Sequence, residues 1–210
     1  MRVLSTLALK GVLEKFRPSA GEAELTFDAT QAILAQLKNG ARADVLILTT
    51  EAMETLPVRD VRPLGCSGVG VAVRAGAPRP DIGSVEALKR ALLAARSVAH
   101  SKVGASGIYF SEVLERLGIA DKLKKRIIVE KGPVGLVVAS GEAEIGVQQL
   151  CELAPVAGID IIGPLPEPLQ KMTHFAAGLV DAKRGAALLD FLQSDAVREQ
   201  MRAGGIEAPP

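Results

Sequence analysis

Short apolar runs of strand length alternate with amphipathic helical stretches along the whole chain, and this order limits the possible folds more than any other feature. It is typical of parallel strands that are connected by crossing helices. The pattern therefore predicts an α/β protein with mixed, mainly parallel sheets. The predicted strands are 2–4, 24–27, 44–48, 68–74, 97–100, 127–130, 144–147, 159–162 and 173–180.

The helical stretches carry their apolar residues three or four positions apart, as one face of a helix requires. Leu9, Val12, Leu13 and Phe16 form one such face, and a second is formed by Phe110, Val113, Leu114 and Leu117. Glycine is the residue most often found just beyond the last turn of a helix. Three glycines are predicted to end helices in this way: Gly40, Gly118 and Gly141.

Two loops rich in glycine and proline divide the chain into two lobes. The first surrounds the strand at 68–74 and ends in the breakers at 75–80, and the second is the proline-rich segment 163–168. We expect a discontinuous first lobe of residues 1–75 and 172–210 and a continuous second lobe of residues 76–171. A ligand cleft is expected between the two lobes.

Composition excludes several classes of partner. The 210 residues carry a net charge of +1, with basic and acidic residues well mixed, so no nucleic-acid-binding surface is expected. The apolar runs are far shorter than the roughly 20 residues of a membrane helix, so no membrane insertion is expected. Cys66 and Cys151 lie apart and lack clustered metal ligands, which favours buried thiols and no metal site. The sequence as written starts without a signal peptide, which predicts a cytoplasmic protein, or a periplasmic one if a signal peptide has been removed.

Ligands of such sheets bind where strands end and helices begin. Helix starts present unpaired amide donors and the positive end of the helix dipole, which suits a small anion. Ser and Thr at these positions are also ordinary N-caps, so capping is the alternative for each turn. Four turns supply the candidate ligand-binding residues: Ser5, Thr6 and Lys10; Thr30 and Gln31; Ser101, Ser106, Gly107 and Tyr109; and Val134.

Motifs of nucleophilic catalysis and of phosphate binding do not occur in the sequence, and no cofactor is expected. An enzyme of this kind would depend on acid–base chemistry. Four residues near the predicted turns are candidate proton carriers, with a purely structural role or a solvated side chain as the alternative: Lys10, His100, Lys102 and Tyr109.

The sequence resembles the molybdate-binding proteins among the bacterial substrate-binding proteins, which have the type II periplasmic binding fold. The segments that carry this resemblance over nearly the whole chain are 27–32, 40–45, 106–109 and 140–147. The resemblance implies two α/β lobes that are joined by two crossing strands and close on a small ligand by a hinge motion.

The resemblance also implies which positions contact the ligand, and several of them differ from the family pattern. Ala8 stands where the family has a serine, and Thr30 is the one hydroxyl kept in the second turn. Ser106 and Val134 occupy the contact positions of the third and fourth turns. Gln148, followed by Gln149, replaces the ligand-binding tyrosine of the family. An amide suits a carboxylate or a hydroxyl group, so we expect an organic carboxylate rather than molybdate.

Three functions remain open at this stage. The first is a solute-binding protein, which would deliver its anion to an ABC importer permease if it is exported. The second is an isomerase of a small polycarboxylate, because aconitate isomerase is similar to the same group. The third is a ligand-sensing effector domain of a regulator, although no DNA-binding helix pair precedes Met1.

Overall fold

The structure is a computed structural model that describes residues 1–16, 23–181 and 185–209. The chain forms two compact units. The first consists of Met1–Ser67 with Thr173–Pro210, and the second of Gly68–Met172. Each unit has its own five-stranded mixed sheet with helices packed against it, which confirms the predicted α/β class.

The sheet of the first unit has the order β2-β1-β3-β10-β4. Its three leading strands are parallel, whereas β10 runs antiparallel to both of its neighbours. Leu46, Leu48 and Met53 lie in its apolar core. The strands are β1 Arg2–Thr6, β2 Glu24–Asp28, β3 Val45–Thr49, β4 Arg59–Ser67 and β10 Thr173–Leu179.

The helices of the first unit follow its parallel strands and complete its C-terminal part. Ile33 of α2 is fully buried in the same core as β3. The 3₁₀ turn Leu7–Leu9 leads into α1, so the chain after β1 does not start directly as an α-helix. The helices are α1 Lys10–Lys15, α2 Thr30–Lys38, α3 Thr50–Met53, α8 Ala186–Leu192 and α9 Asp195–Ala203.

The sheet of the second unit has the order β7-β6-β8-β5-β9. Its strands β6, β7 and β8 are parallel, and β5 is antiparallel to β8 and β9. Its core contains the apolar face of α5, with Phe110, Val113 and Leu114 fully buried. The strands are β5 Val69–Arg74, β6 Val98–Ser101, β7 Arg126–Val129, β8 Ile145–Gln149 and β9 Ile159–Pro164.

Glycines let two helices of the second unit lie close to its sheet. An added Cβ at Gly146 of β8 would be 2.5 Å from a methyl group of Val138, and at Gly70 of β5 it would be 2.3 Å from a methyl group of Leu150. The helices are α4 Val85–Ala94, α5 Ala105–Arg116, α6 Val134–Ala139 and α7 Leu150–Leu153, and a 3₁₀ turn spans Glu167–Leu169. Within the described part of the chain, no helix is long and apolar enough to cross a membrane.

Two features differ from the sequence-based prediction. β4 was missed, and it lies at the edge of its sheet, where Pro63 is tolerated because one side of the strand needs no donor. The first unit ends at Ser67 rather than at residue 75, because the strand after it pairs entirely with β8 and β9 of the second unit. Gly40, Gly118 and Gly141 follow α2, α5 and α6 with positive φ, as predicted.

Candidate ligand site

The start of α2 offers free donors in the first unit. Ala29 occupies the N-cap position, and no side chain caps the helix. Asp28 fixes the turn, since its carboxylate accepts hydrogen bonds from the Ala29 amide at 2.8 Å and from the Gln36 side chain at 3.1 Å. Thr30 is the first helical residue and is partly buried, and Gln31 is exposed. Capping therefore does not explain the Thr30 hydroxyl, which stays a predicted ligand contact.

The turn after β1 presents fewer free groups than the sequence suggested. Ser5 is fully buried, and its hydroxyl donates a hydrogen bond to the Thr6 carbonyl at 3.0 Å. Thr6 and Ala8 are also buried, and the chain passes through a 3₁₀ turn before α1. Lys10 lies one turn further on, with its ammonium 3.9 Å from the Glu14 carboxylate on the surface of α1.

In the second unit, the turn after β6 is built by Ser101 and Gly107. The Ser101 hydroxyl accepts a hydrogen bond from the Gly104 amide at 2.9 Å and so shapes the turn. A Cβ at position 107 would lie only 1.9 Å from the Ser101 carbonyl oxygen, so glycine is required for α5 to start this close to the strand. Ser101 and Gly107 thus form the turn rather than offer free side chains to a ligand.

Ser106 is the most suggestive polar group of this turn. It is the second residue of α5, it is only 2% exposed, and its hydroxyl has no hydrogen-bond partner among the described residues. Gly104 occupies the N-cap position without a capping side chain. Ser106 Oγ is not among the fully enclosed side-chain atoms that lack a partner, so this hydroxyl is open to a ligand or to water. This observation supports the predicted role of Ser106 in ligand binding.

The fourth turn contains a hydrogen-bonded chain of three residues. The Val134 amide at the start of α6 donates to the Gln148 side-chain oxygen at 2.8 Å, and the Gln148 side-chain nitrogen donates to the Glu152 carboxylate. Gln148 is 1% exposed, and its neighbour Gln149 is also buried at the end of β8. The predicted contacts Val134 and Gln148 thus bind each other, which leaves the second N–H of the Gln148 amide as the available donor.

The carboxyl group of Glu152, at the end of this hydrogen-bonded chain, has a raised pKa. Burial raises the pKa of Glu152 to about 7, although the hydrogen bond from Gln148 acts in the opposite direction. The group therefore exchanges a proton in the neutral range, which is a property expected of groups at functional sites.

Both ring nitrogens of His100 are engaged in a hydrogen-bond network. One ring nitrogen, Nδ1, lies 3.0 Å from the Ser101 carbonyl oxygen, and the other accepts a hydrogen bond from Arg126 at 2.7 Å. Arg126 also donates to the Ser111 hydroxyl at 2.8 Å. Burial lowers the pKa of His100, and the positive charge of Arg126 lowers it further. His100 is therefore held in its neutral form, and its role as a proton carrier stays a prediction.

The other candidate proton carriers are also engaged. Lys102 is exposed and lies 2.9 Å from both carboxylate oxygens of Glu130. The Tyr109 hydroxyl donates to the Leu169 carbonyl at 3.0 Å, and the ammonium group of Lys171 lies 5.0 Å from the centre of its ring. Tyr109 thus anchors α5 to the segment before β10. An exposed ion pair is weak, so Lys102 is more easily released than Tyr109.

Sequence reasoning missed Glu152 and Arg126. Arg126 follows two lysines, a pattern typical of a solvated basic run, so nothing in the sequence singles it out. Glu152 had a clearer signal, because a single carboxylate lies between Cys151 and Leu153 in an otherwise apolar segment, and both of these neighbours are buried. The described residues include no group of three or more His, Cys, Asp or Glu residues that could hold a metal ion.

Comparison with known proteins identifies relatives over most of the chain. The family model described as bacterial extracellular solute-binding protein matches residues 8–207. Among curated proteins, an aconitate isomerase from a Pseudomonas species is 38% identical over 195 residues, which are 87% of this chain and 74% of the isomerase.

Solved structures share the fold at much lower identity. The periplasmic molybdate-binding protein of Azotobacter vinelandii has a TM-score of 0.79 and 18% identity, with all of both chains covered. PEB3, in a structure with bound L-phospholactate, has a TM-score of 0.69 and 13% identity, also with full coverage of both chains. These likenesses confirm the predicted resemblance in fold, and the family match over nearly the whole sequence shows that the chain belongs to the bacterial extracellular solute-binding proteins.

Proposed function

We propose that this chain binds a small polycarboxylate and moves a double bond within it, as an isomerase of the aconitate type. The observation that carries the proposal is the 38% identity to an aconitate isomerase over 87% of this chain. The distant molybdate-binding relative is only 18% identical, so it supports the fold and not molybdate as the ligand. PEB3 illustrates that this fold also accommodates an organic acid.

The donor groups described above suit carboxylates. The starts of α2 and α5 have no capping side chain, and Thr30 and Ser106 add hydroxyls beside them. Gln148 adds an amide where molybdate binders have a tyrosine. Neutral donors of this kind bind carboxylates and hydroxyl groups without a buried cation.

The proposed reaction is a proton shift. A base removes a proton from the carbon beside a carboxylate, the electron pair forms a new double bond with its neighbour, and a proton returns to the far carbon of the former double bond. The product has the same atoms and charge as the substrate, so no oxidant, reductant or cofactor enters the balance.

The test is incubation of the purified protein with trans-aconitate in D₂O, followed by proton NMR. An isomerase produces cis-aconitate and incorporates deuterium at the methylene carbon, whereas a chain without this activity leaves both signals unchanged. Calorimetric titration with the same compound measures binding separately. Absence of both turnover and binding would refute the proposal.

A second candidate function is solute binding without chemistry, with delivery to an ABC importer permease. One observation favours it: Lys10, His100, Lys102 and Tyr109 all have partners of their own within the described residues. Binding of a carboxylate without turnover or deuterium incorporation would select this function over the isomerase.

Substitution of either helix-start hydroxyl tests the proposed contacts. Thr30→Ala and Ser106→Ala each remove one donor, and we expect each to weaken carboxylate binding by about 1 to 3 kcal/mol with little change in stability. Ser111→Ala is a matched control on α5, since this hydroxyl donates to the Gly107 carbonyl. Unchanged affinity in either variant would remove that residue from the site.

A further inference from the structure

The Gln148 amide has only one orientation that satisfies its neighbours. Its oxygen must accept the Val134 N–H, so its nitrogen is directed to Glu152. Gly146 contributes to this arrangement, because the absence of a side chain there allows α6 to lie directly on β8. One N–H of the amide is used by Glu152, and the other remains as a donor for a ligand.

No cation of the described residues stabilises a charge on Glu152. Its helix, α7, packs against β5, β8, β9 and α6. The ionisable residues of these four strands and helices are Arg74 and Asp160, and neither forms an ion pair with Glu152 among the described residues. Asp160 instead accepts a hydrogen bond from the Gly76 amide at 3.0 Å. On α7 itself, Cys151 is the other titratable group.

A carboxylate bound to the free N–H of Gln148 would lie close to Glu152. Two acceptors on the same nitrogen are about 5 Å apart, since each N–H···O bond spans about 2.9 Å. Two like charges at this distance disfavour each other strongly in a buried setting. Protonated Glu152 keeps its hydrogen bond from Gln148 and carries no charge, so it removes the repulsion.

We propose that Glu152 is a positioning residue that orients the Gln148 amide and admits a carboxylate ligand only when Glu152 itself carries a proton. This inference rests on the proposed function, because it assumes a carboxylate ligand that contacts Gln148. The charge of Glu152 determines the direction of the expected pH dependence. Glu152 is neutral below about pH 7 and negative above it, so ligand binding is tight on the acid side and is accompanied by proton uptake on the alkaline side.

The first experiment needs no ligand. The side-chain NH₂ signals of Gln148 are followed by ¹⁵N–¹H NMR from pH 5 to pH 9 in the wild-type protein. The proposal requires a chemical-shift change with a midpoint near 7, since the acceptor of one N–H changes its charge there. Signals that do not move over this range overturn the proposal, whether or not a carboxylate is bound.

The second experiment measures affinity for trans-aconitate by calorimetry at pH 6 and pH 8. Between these values we expect wild-type affinity to fall about tenfold more than that of Glu152→Gln, because the protonated fraction of a group with a pKa near 7 falls about tenfold from pH 6 to pH 8. Glutamine keeps an acceptor for Gln148 but cannot ionise. The comparison also cancels any titration of the ligand, because both proteins are measured with the same compound.

Glu51→Gln is the matched control, because Glu51 is an exposed carboxylate on α3, the short helix that follows β3 as α7 follows β8. It should retain the wild-type pH profile. An identical profile for wild type and Glu152→Gln refutes the role of Glu152. Lack of trans-aconitate binding at either pH refutes the proposed function instead, while the NMR titration still decides whether Glu152 controls Gln148.

Discussion

The two units have the same sheet plan but use it differently. In both, three parallel strands are followed by an antiparallel strand that brings the chain into or out of the unit, and by one edge strand. β1, β2, β3, β10 and β4 of the first unit correspond in this order to β6, β7, β8, β5 and β9 of the second. The shared sheet topology therefore does not determine which strand ends carry buried polar groups.

The difference lies at the ends of the parallel strands. In the first unit, the Thr49 hydroxyl after β3 caps α3 by accepting the Ala52 amide at 3.4 Å, and Glu51 is exposed. In the second unit, no side chain caps α7, and the buried Gln148 is hydrogen-bonded to the partly buried Glu152 instead. In the first unit, a capping side chain is sufficient to satisfy the start of α3. In the second unit, Gln148 and Glu152 take polar groups out of water at the corresponding place, and their burial needs a further reason.

The largest expected difference concerns the turn before α5. Gly107→Ala places a methyl group against the Ser101 carbonyl, and we expect a loss of about 3 kcal/mol in the free energy of unfolding. The contacting atoms of Ser101 belong to the backbone, so they cannot move aside as a side chain could. The turn after β1 already carries a buried Ala8. Urea denaturation measures the loss, with Ser106→Ala as the control. A variant as stable as wild type would mean that this turn is as permissive as that of the first unit.

A smaller difference is expected between two arginines. Arg126→Leu removes the hydrogen bonds to His100 and Ser111, and should cost about 1 to 3 kcal/mol of stability. Arg62 of the first unit is paired with Asp60 and Asp190 at the surface, so Arg62→Leu should have a much smaller effect. Equal losses in thermal denaturation would contradict this ranking.

The same variant should change the titration of His100. Removal of the Arg126 charge raises the pKa of His100, but burial still holds it below its usual value of 6.5. Since the folded protein resists protonation of this ring, stability declines as the pH falls below 6.5. NMR titration of the ring protons measures the shift. A lower pKa in Arg126→Leu would show that the arginine does not act through its charge.

The smallest effect is expected for the two surface lysines. Lys10 in the first unit and Lys102 in the second are both paired with an exposed glutamate. Lys10→Met and Lys102→Met should each change the free energy of unfolding by less than about 1 kcal/mol. If Lys102→Met instead abolishes isomerisation while carboxylate binding persists, the lysine leaves its partner Glu130 during the reaction.

Buried strands were predictable from the sequence, because a short run of apolar residues is enough to define them. β3 and β8 are buried along nearly their whole length, and their sequences show it. β4 was not predictable, because charged residues and Pro63 make Arg59–Ser67 similar to a loop, and only pairing with the distant β10 makes it a strand.

The surroundings of the candidate residues were predictable by position but not by bonding. The turns that hold Thr30 and Ser106 follow from strand ends and helix starts, and the position of Gln148 follows from the family resemblance. That Gln148 would bind Val134, and that Arg126 would bind His100, depends on side chains brought together by packing across the sheet. No local pattern contains such pairs, so sequence reasoning assigned free side chains where the structure has engaged ones.

The discontinuous first unit has a consequence for the order in which the protein is made. β10 lies between β3 and β4, yet it follows the whole second unit in sequence and so leaves the ribosome after it. The second unit is continuous and has all its strands once Met172 has been synthesised. During synthesis, the second unit is therefore able to fold while β4 still lacks its neighbour, and completion of the first sheet requires a late pairing between segments that are distant in sequence.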